Sequence, residues 1–164
     1  MTKLPAQFSD WFATRGWSIH DHQQQMLDKA DAAALLLIAP TGGGKTLAGF
    51  LPSLIDLAAA PRQGLHTIYI SPLKALAADI KRNLSTPVTE MGLPVRIEDR
   101  TGDTSSSRKR RQRADPPHIL LTTPESLALL ISYEDAPRIF AGLQRIVIDE
   151  IHALADSKRG DQLM

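Results

Sequence analysis

The stretch Ala39-Pro40-Thr41-Gly42-Gly43-Gly44-Lys45-Thr46 constrains what this chain can fold into more than any other, because it has the make-up of a loop that wraps a polyphosphate. Consecutive glycines let the backbone turn tightly and approach phosphate oxygens without Cβ clashes, so that successive N–H groups can point at one anion. A helix is expected to begin at Gly44 or Lys45 and to bring its positive end to the same phosphates. Lys45 supplies a mobile positive charge and Thr46 a hydroxyl for Mg²⁺. Ala39 departs from the general G-x-x-x-x-G-K-[ST] pattern, which wants glycine there. The flanks supply the context such a loop requires: Leu35-Leu36-Leu37-Ile38 reads as a buried strand entering it. Leu47, Leu51, Leu54, Ile55 and Ala58 recur at helical spacing after it.

A chain of 164 residues can bury one core. Its 19 Lys+Arg against 18 Asp+Glu leave no global charge that demands a nucleic-acid or membrane partner, so any partner has to be argued from local features. The absence of cysteine excludes disulfides and thiolate metal sites and fits a reducing compartment. The first residues lack the apolar core of a signal peptide, and the longest wholly apolar run, residues 32–39, is too short to span a bilayer. The expectation is a cytoplasmic protein with no membrane partner.

Along the chain, residues 1–33 read as a helical cap of two short pieces broken at Gly16. In it Phe8, Trp11, Phe12 and Trp17 serve either as a small apolar cluster or as a stacking face for adenine. Pro52 falls inside the helix after the phosphate loop and predicts a kink or a local break. Beyond it, His66-Thr67-Ile68-Tyr69-Ile70-Ser71, Val95-Arg96-Ile97-Glu98, Ile119-Leu120-Leu121-Thr122 and Arg145-Ile146-Val147-Ile148 read as strands. Helical segments follow from Lys74, from the serines after Thr104, and over residues 127–131. With residues 35–38 these make five strand runs separated by crossovers long enough for helices, which predicts an α/β domain with a mostly parallel sheet over residues 34–164. Ligands of such sheets bind beyond the carboxyl ends of the strands.

Two adjacent carboxylates closing an apolar strand, Asp149 and Glu150, are costly unless something meets their charge. Bound Mg²⁺ on Asp149, with Glu150 polarising the attacking water, is one reading; an acidic pair capping the next helix is the other. His152 reads either as a sensor of the terminal phosphate or as a surface residue. The basic run Arg108, Lys109, Arg110, Arg111 and Arg113 is either a solvated helix face or a phosphate contact. The polar strand-end loops Ser71-Pro72, Thr101-Gly102-Asp103-Thr104 and Thr122-Thr123-Pro124-Glu125 offer hydroxyls and N–H groups suited to a sugar-phosphate chain.

Taken in order, residues 39–46, Ser71-Pro72-Leu73-Lys74-Ala75-Leu76, Thr101-Gly102-Asp103-Thr104, Thr122-Thr123-Pro124-Glu125-Ser126-Leu127 and Asp149-Glu150-Ile151-His152 resemble the motifs of superfamily 2 DExH-box helicases. Arg100 and Lys158-Arg159-Gly160 extend the likeness to the Lhr (large helicase-related) family, and within it to the ligase-associated DNA-damage-response branch. That family carries alanine at the position of Ala39, whereas Ile151 stands where its members often have tryptophan.

The resemblance implies a RecA-like P-loop NTPase domain and an ATP-hydrolysing DNA helicase active in repair. It implies ATP and Mg²⁺ as cofactors. The partner is single-stranded DNA or a tailed duplex held by its backbone, together with repair proteins such as a ligase. It gives Gln23 the reading of adenine, and Ser71, Pro72, Lys74, Arg100, Thr101, Gly102, Asp103, Thr122, Thr123, Pro124 and Glu125 the grip on one strand. Asp149 takes the metal, Glu150 and Lys45 the hydrolysis, and His152 the coupling. It also places a second RecA-like domain and its arginine fingers after Met164. Such fingers are worth roughly 10³ to 10⁵ in rate, so the chain alone is expected to be nearly inactive and to leave an apolar sheet edge open. Two other classes remain at this stage: a P-loop kinase or transporter ATPase whose polar loops bind a small molecule or protein, and a non-catalytic binding module.

Overall fold

The structure, a computed structural model, describes residues 1–40 and 42–155. Thr41, and the Lys158, Arg159 and Gly160 that carry part of the resemblance, lie outside the described residues. By compactness the chain forms two units, Met1–Pro61 with Leu84–Pro94 and Arg62–Asn83 with Val95–Met164.

The first unit is helical. Helix α1 (Ala6–Thr14) ends before Gly16, whose φ of +66° reverses the chain into α2 (Asp21–Asp28). Phe8, Trp11 and Phe12 are buried, with Trp11 edge-on to Phe12 and to the exposed Trp17. Burial of the Trp11 ring leaves its N–H needing a partner, and it donates to Glu90 Oε2 at 2.7 Å. Arg15 pairs with the same carboxylate and stacks over both Trp11 and Trp17. The apolar cluster is therefore the arrangement found, fastened by one shared glutamate. Helix α3 (Lys45–Ala59) packs on α2 and buries Ala48, Phe50, Leu51, Leu54 and Leu57. It continues through Pro52 without a break.

The segment 35–38 is not the expected buried strand. It has no sheet partner among the described residues, and Leu36 and Ile38 are 75% and 87% exposed. A short apolar run becomes a strand only where a neighbour takes up its backbone hydrogen bonds, and periodicity carries no information about that neighbour.

The second unit holds a four-stranded sheet in the order β2-β3-β1-β4, parallel throughout. Its strands are β1 (Thr67–Ile70), β2 (Ile97–Arg100), β3 (Ile119–Thr122) and β4 (Arg145–Ile148). The second starts two residues later than the apolar pattern suggests. The chain passes between strands through α4 (Lys74–Glu90), α5 (Ser106–Ala114), and the pair α6 (Pro124–Ile131) and α7 (Ala136–Phe140), and ends the described part in α8 (Ile151–Ala155). The central strands β1 and β3 are buried at every position, as their near-continuous apolar runs require. Ile68 and Ile70 of β1 and Leu120 of β3 share one face and pack against Leu127 and Leu130 of α6 and Ile139 of α7. Helix α6 begins earlier than its apolar run because Thr123 caps it, its hydroxyl accepting from the Ser126 N–H at 3.4 Å, with Pro124 in the first turn.

Candidate functional site

The phosphate-loop region follows from local stereochemistry. Gly44 caps α3 with φ +71°, a conformation that costs an L-residue energy, and α3 starts at Lys45 as expected. A Cβ on Gly44 would lie 2.7 Å from Gln23 Nε2, so a side chain there would also force the Gln23 amide to shift. No side chain caps α3, which leaves its first N–H groups directed out of the helix end where an anion is favoured. Gln23, 2% exposed, uses both ends of its amide on backbone: Oε1 accepts from the His20 N–H at 2.9 Å and Nε2 donates to the Gly44 carbonyl at 3.2 Å. The glutamine assigned to adenine thus also ties α2 to the loop. Ala39, Lys45 and Thr46 are half-buried, Gly42 and Pro40 exposed, and Gly43 donates to the Pro40 carbonyl.

In the second unit, the parallel register aligns Ile70 with both Thr122 and Ile148, and Arg100 with Thr122. The residues that follow, Ser71, Thr101, Thr123 and Asp149, therefore emerge together at the carboxyl end of the sheet. Ser71 is buried and donates its N–H to the Thr122 carbonyl; its hydroxyl meets the Leu73 N–H at 3.4 Å. Lys74 and Asp103, both exposed, pair at 3.0 Å above Gly102. The Thr101 to Thr104 turn closes on itself, the Thr101 N–H donating to Thr104 Oγ1 at 3.0 Å and the Asp103 N–H to Thr101 Oγ1 at 3.3 Å. The Thr122 hydroxyl donates to the Arg100 carbonyl at 2.8 Å. Pro124 is buried and Glu125 half-buried. The Arg100 side chain does not face outward. It is 2% exposed and donates to the Lys109 carbonyl and to Gln112 Oε1 of α5.

The acidic pair shows a fixed geometry. The Asp149 N–H donates to the Ile70 carbonyl at 3.0 Å, prolonging the ladder by one residue. Its carboxylate accepts twice, at Oδ1 from the Glu150 N–H (2.9 Å) and at Oδ2 from the Tyr69 hydroxyl (2.8 Å). Tyr69 is 1% exposed; burial, and then the hydrogen bond to Asp149, push its phenol well above the ordinary tyrosine range, so it remains a proton donor. Glu150 has φ +52°, the one positive φ outside glycine among the described residues. Such strain persists where the surroundings over-determine it and gathers at functional positions. His152 Nε2 lies 3.0 Å from Glu150 Oε2 at the exposed start of α8.

Most of the basic run is engaged in pairs within the unit while Arg110 and Arg111 stay exposed. Arg111 grips Glu98 with Nη1 at 3.0 Å and Nη2 at 2.6 Å, and Arg108 reaches Asp99 at 2.9 Å. Arg113 pairs with Asp135 and stacks 3.7 Å over the Tyr133 ring. Lys109 donates to the Gly102 carbonyl, which leaves Arg110 as the exposed member without a partner among the described residues. The signals for Tyr69, Glu98 and Asp99 lay in the sequence: a tyrosine in a buried strand needs an acceptor, and two carboxylates in a strand need cations. Which partners they take depends on register. Among the described residues no cluster of three or more His, Cys, Asp or Glu is arranged to hold a metal on its own, and no helix is long and apolar enough to cross a membrane.

A glycine-built loop opening a helix, and a strand of a parallel sheet ending in Asp-Glu, are marks of the P-loop NTPase class. A protein-family model for DEAD/DEAH box helicases matches residues 20–164, and the chain belongs to that family. It is 45% identical over 141 residues to the Lhr helicase/probable uracil glycosylase of Mycolicibacterium smegmatis, covering 78% of this chain and 9% of that protein. It is 35% identical to the ATP-dependent helicase Lhr-Core of Methanocaldococcus jannaschii, over 98% of this chain and 21% of that one. The chain thus spans only 9% and 21% of the length of these two curated relatives. Among solved structures, Mycobacterium smegmatis helicase Lhr bound to ssDNA and AMP-PNP superposes with a TM-score of 0.86 at 40% identity, over 96% of this chain and 22% of that one. The RecA-like fold of a helicase domain follows, and the likeness to the Lhr type is sustained.

Proposed function

We propose that this chain is the ATP-binding part of an Lhr-type, ATP-dependent DNA helicase or translocase. The observation that carries the reading is membership of the DEAD/DEAH box family through residues 20–164, together with a phosphate loop whose Gly44 backbone has the form that phosphate wrapping needs. Relatives described as ATP-dependent helicases, and a similar structure holding ssDNA and AMP-PNP, support it. In this reading residues 39–46 with Gln23 bind ATP, and Lys45 meets its outer phosphates. Glu150 orients the attacking water, and His152, paired with Glu150, reports the state of the nucleotide to the rest of the protein. Mg²⁺ suits the donor set: it takes one or two protein oxygens and completes its shell with water and phosphate, and a hydroxyl at Thr46 and a carboxylate at Asp149 are hard oxygen donors of that kind. When bound, it would neutralise charge on the transferring phosphoryl group.

The loops at 71–74, 100–103 and 122–125 are proposed to hold one DNA strand by its backbone. Arg100 serves there indirectly, by seating α5, and Lys74 directly. Action in cytoplasmic DNA repair alongside a ligase is a further part of the proposal and rests on the branch resemblance. The test is ATP turnover of the intact protein with and without single-stranded DNA. Wild type should be stimulated several-fold. Lys45→Ala and Glu150→Gln should each abolish turnover, the second retaining nucleotide binding. Undiminished turnover in Glu150→Gln would sink the catalytic assignment, and indifference to DNA would sink the translocase.

A further inference from the structure

Tyr69 is buried and bonds the acidic pair through its side chain, and neither the motifs nor the family likeness gives it a task. It stands on the central strand β1, opposite Val147 of β4, so Tyr69, Val147 and Asp149 share one face of the sheet. Side chains in a parallel sheet lean along the strand, and the Tyr69 ring spans the distance from its own register position to the residue two places further on. Its hydroxyl ends 2.8 Å from Asp149 Oδ2. The other oxygen, Oδ1, is held by the Glu150 N–H at 2.9 Å. The two donors approach different oxygens, which restrains the carboxylate from turning about its Cβ–Cγ bond while each oxygen keeps a further lone pair.

We propose that Tyr69 is a positioning residue for the metal site: its hydroxyl, fixed by the packing of β1, sets the orientation in which Asp149 presents its carboxylate to Mg²⁺. The proposal rests on the reading of Asp149 as a metal ligand. A phenylalanine would keep the buried ring and would remove only the donor. Asp149 would then be held at one oxygen and free to turn. Partners that orient a metal ligand typically change metal affinity by about 10- to 100-fold when removed.

The experiment titrates Mg²⁺ against binding of a fluorescent non-hydrolysable ATP analogue to the intact protein, for wild type, Tyr69→Phe, Asp149→Asn and the double variant, with a thermal melt of each. Tyr69→Phe should raise the half-saturating Mg²⁺ about tenfold, leave analogue binding in EDTA unchanged, and melt close to wild type. In the Asp149→Asn background it should add nothing. Tyr69→Phe with wild-type Mg²⁺ dependence, while Asp149→Asn is shifted, overturns the positioning role alone. If Asp149→Asn is not shifted either, the metal-ligand reading falls and takes this one with it. A loss in Tyr69→Phe that is equal with and without Mg²⁺ marks a packing role and also overturns the proposal.

Discussion

Gly44 carries more constraint than its place in a glycine run suggests. Its φ of +71° costs a non-glycine residue roughly 1–2 kcal/mol, and the space where a Cβ would sit is taken by Gln23 Nε2. Gly44→Ala should strain the cap of α3 and push the Gln23 amide off the Gly44 carbonyl, loosening α2 from the loop. The expected outcome is a fall in nucleotide affinity of about tenfold, in line with that cost, and a lower melting temperature. Wild-type affinity in Gly44→Ala would show that neither the φ nor the Gln23 contact matters to binding. Glu150 is the counterpart at the acidic end. It holds a left-handed backbone without being glycine, and its amide is spent on Asp149, so its conformation and the orientation of its neighbour are set by the same peptide.

At the level of elements, α5 is fastened to β2 by charge. Glu98 is buried and accepts from Arg111 and Gln112; Asp99 accepts from Lys81 and Arg108. Burial by itself would raise both carboxyls, but the hydrogen bonds from Arg111 and Gln112 to Glu98, and from Lys81 and Arg108 to Asp99, outweigh it and hold both below their ordinary values of 4.5 and 3.8. A depressed folded value means that the stabilisation is fully present above the ordinary value and is lost as the pH falls through the lower, folded one. An acid melt should therefore show stability declining below about pH 4.5. Glu98→Gln should flatten that decline and cost about 1–2 kcal/mol at neutral pH, since it removes a charge-assisted pair but leaves half-exposed arginines that water can reach. Arg110→Ala, at the exposed position without a partner, should stay within about 0.5 kcal/mol of wild type. Equal losses in the two variants would mean that the network contributes nothing particular.

At the scale of the whole molecule, among the described residues one edge of the sheet is β4, which bears Ile146 and Ile148 at 57% and 40% exposure. An open edge strand with apolar residues is a template for pairing with another chain. Residues 1–164 by themselves should self-associate, and Ile146→Lys or Ile148→Lys should lower light scattering toward the monomer value; scattering unaltered by both would place the association elsewhere. The same strand shows how far sequence reaches. Phosphate-loop stereochemistry, the strand runs of β1, β3 and β4 and the Asp-Glu pair after them were legible, because each is set by residues within a turn or two of one another: a glycine that tolerates positive φ, an apolar run that must be buried. The failure at residues 35–38, the pairing of Arg108 and Arg111 with Glu98 and Asp99, the inward turn of Arg100, the Gln23 bond to Gly44 and the hold of Tyr69 on Asp149 were not. Each of these depends on which distant backbone or charge lies alongside, a matter of how the elements pack and, within the sheet, of strand order and register. Local chemistry determined what every segment could become, and only the parallel stacking of β2, β3, β1 and β4 decided which side chains meet.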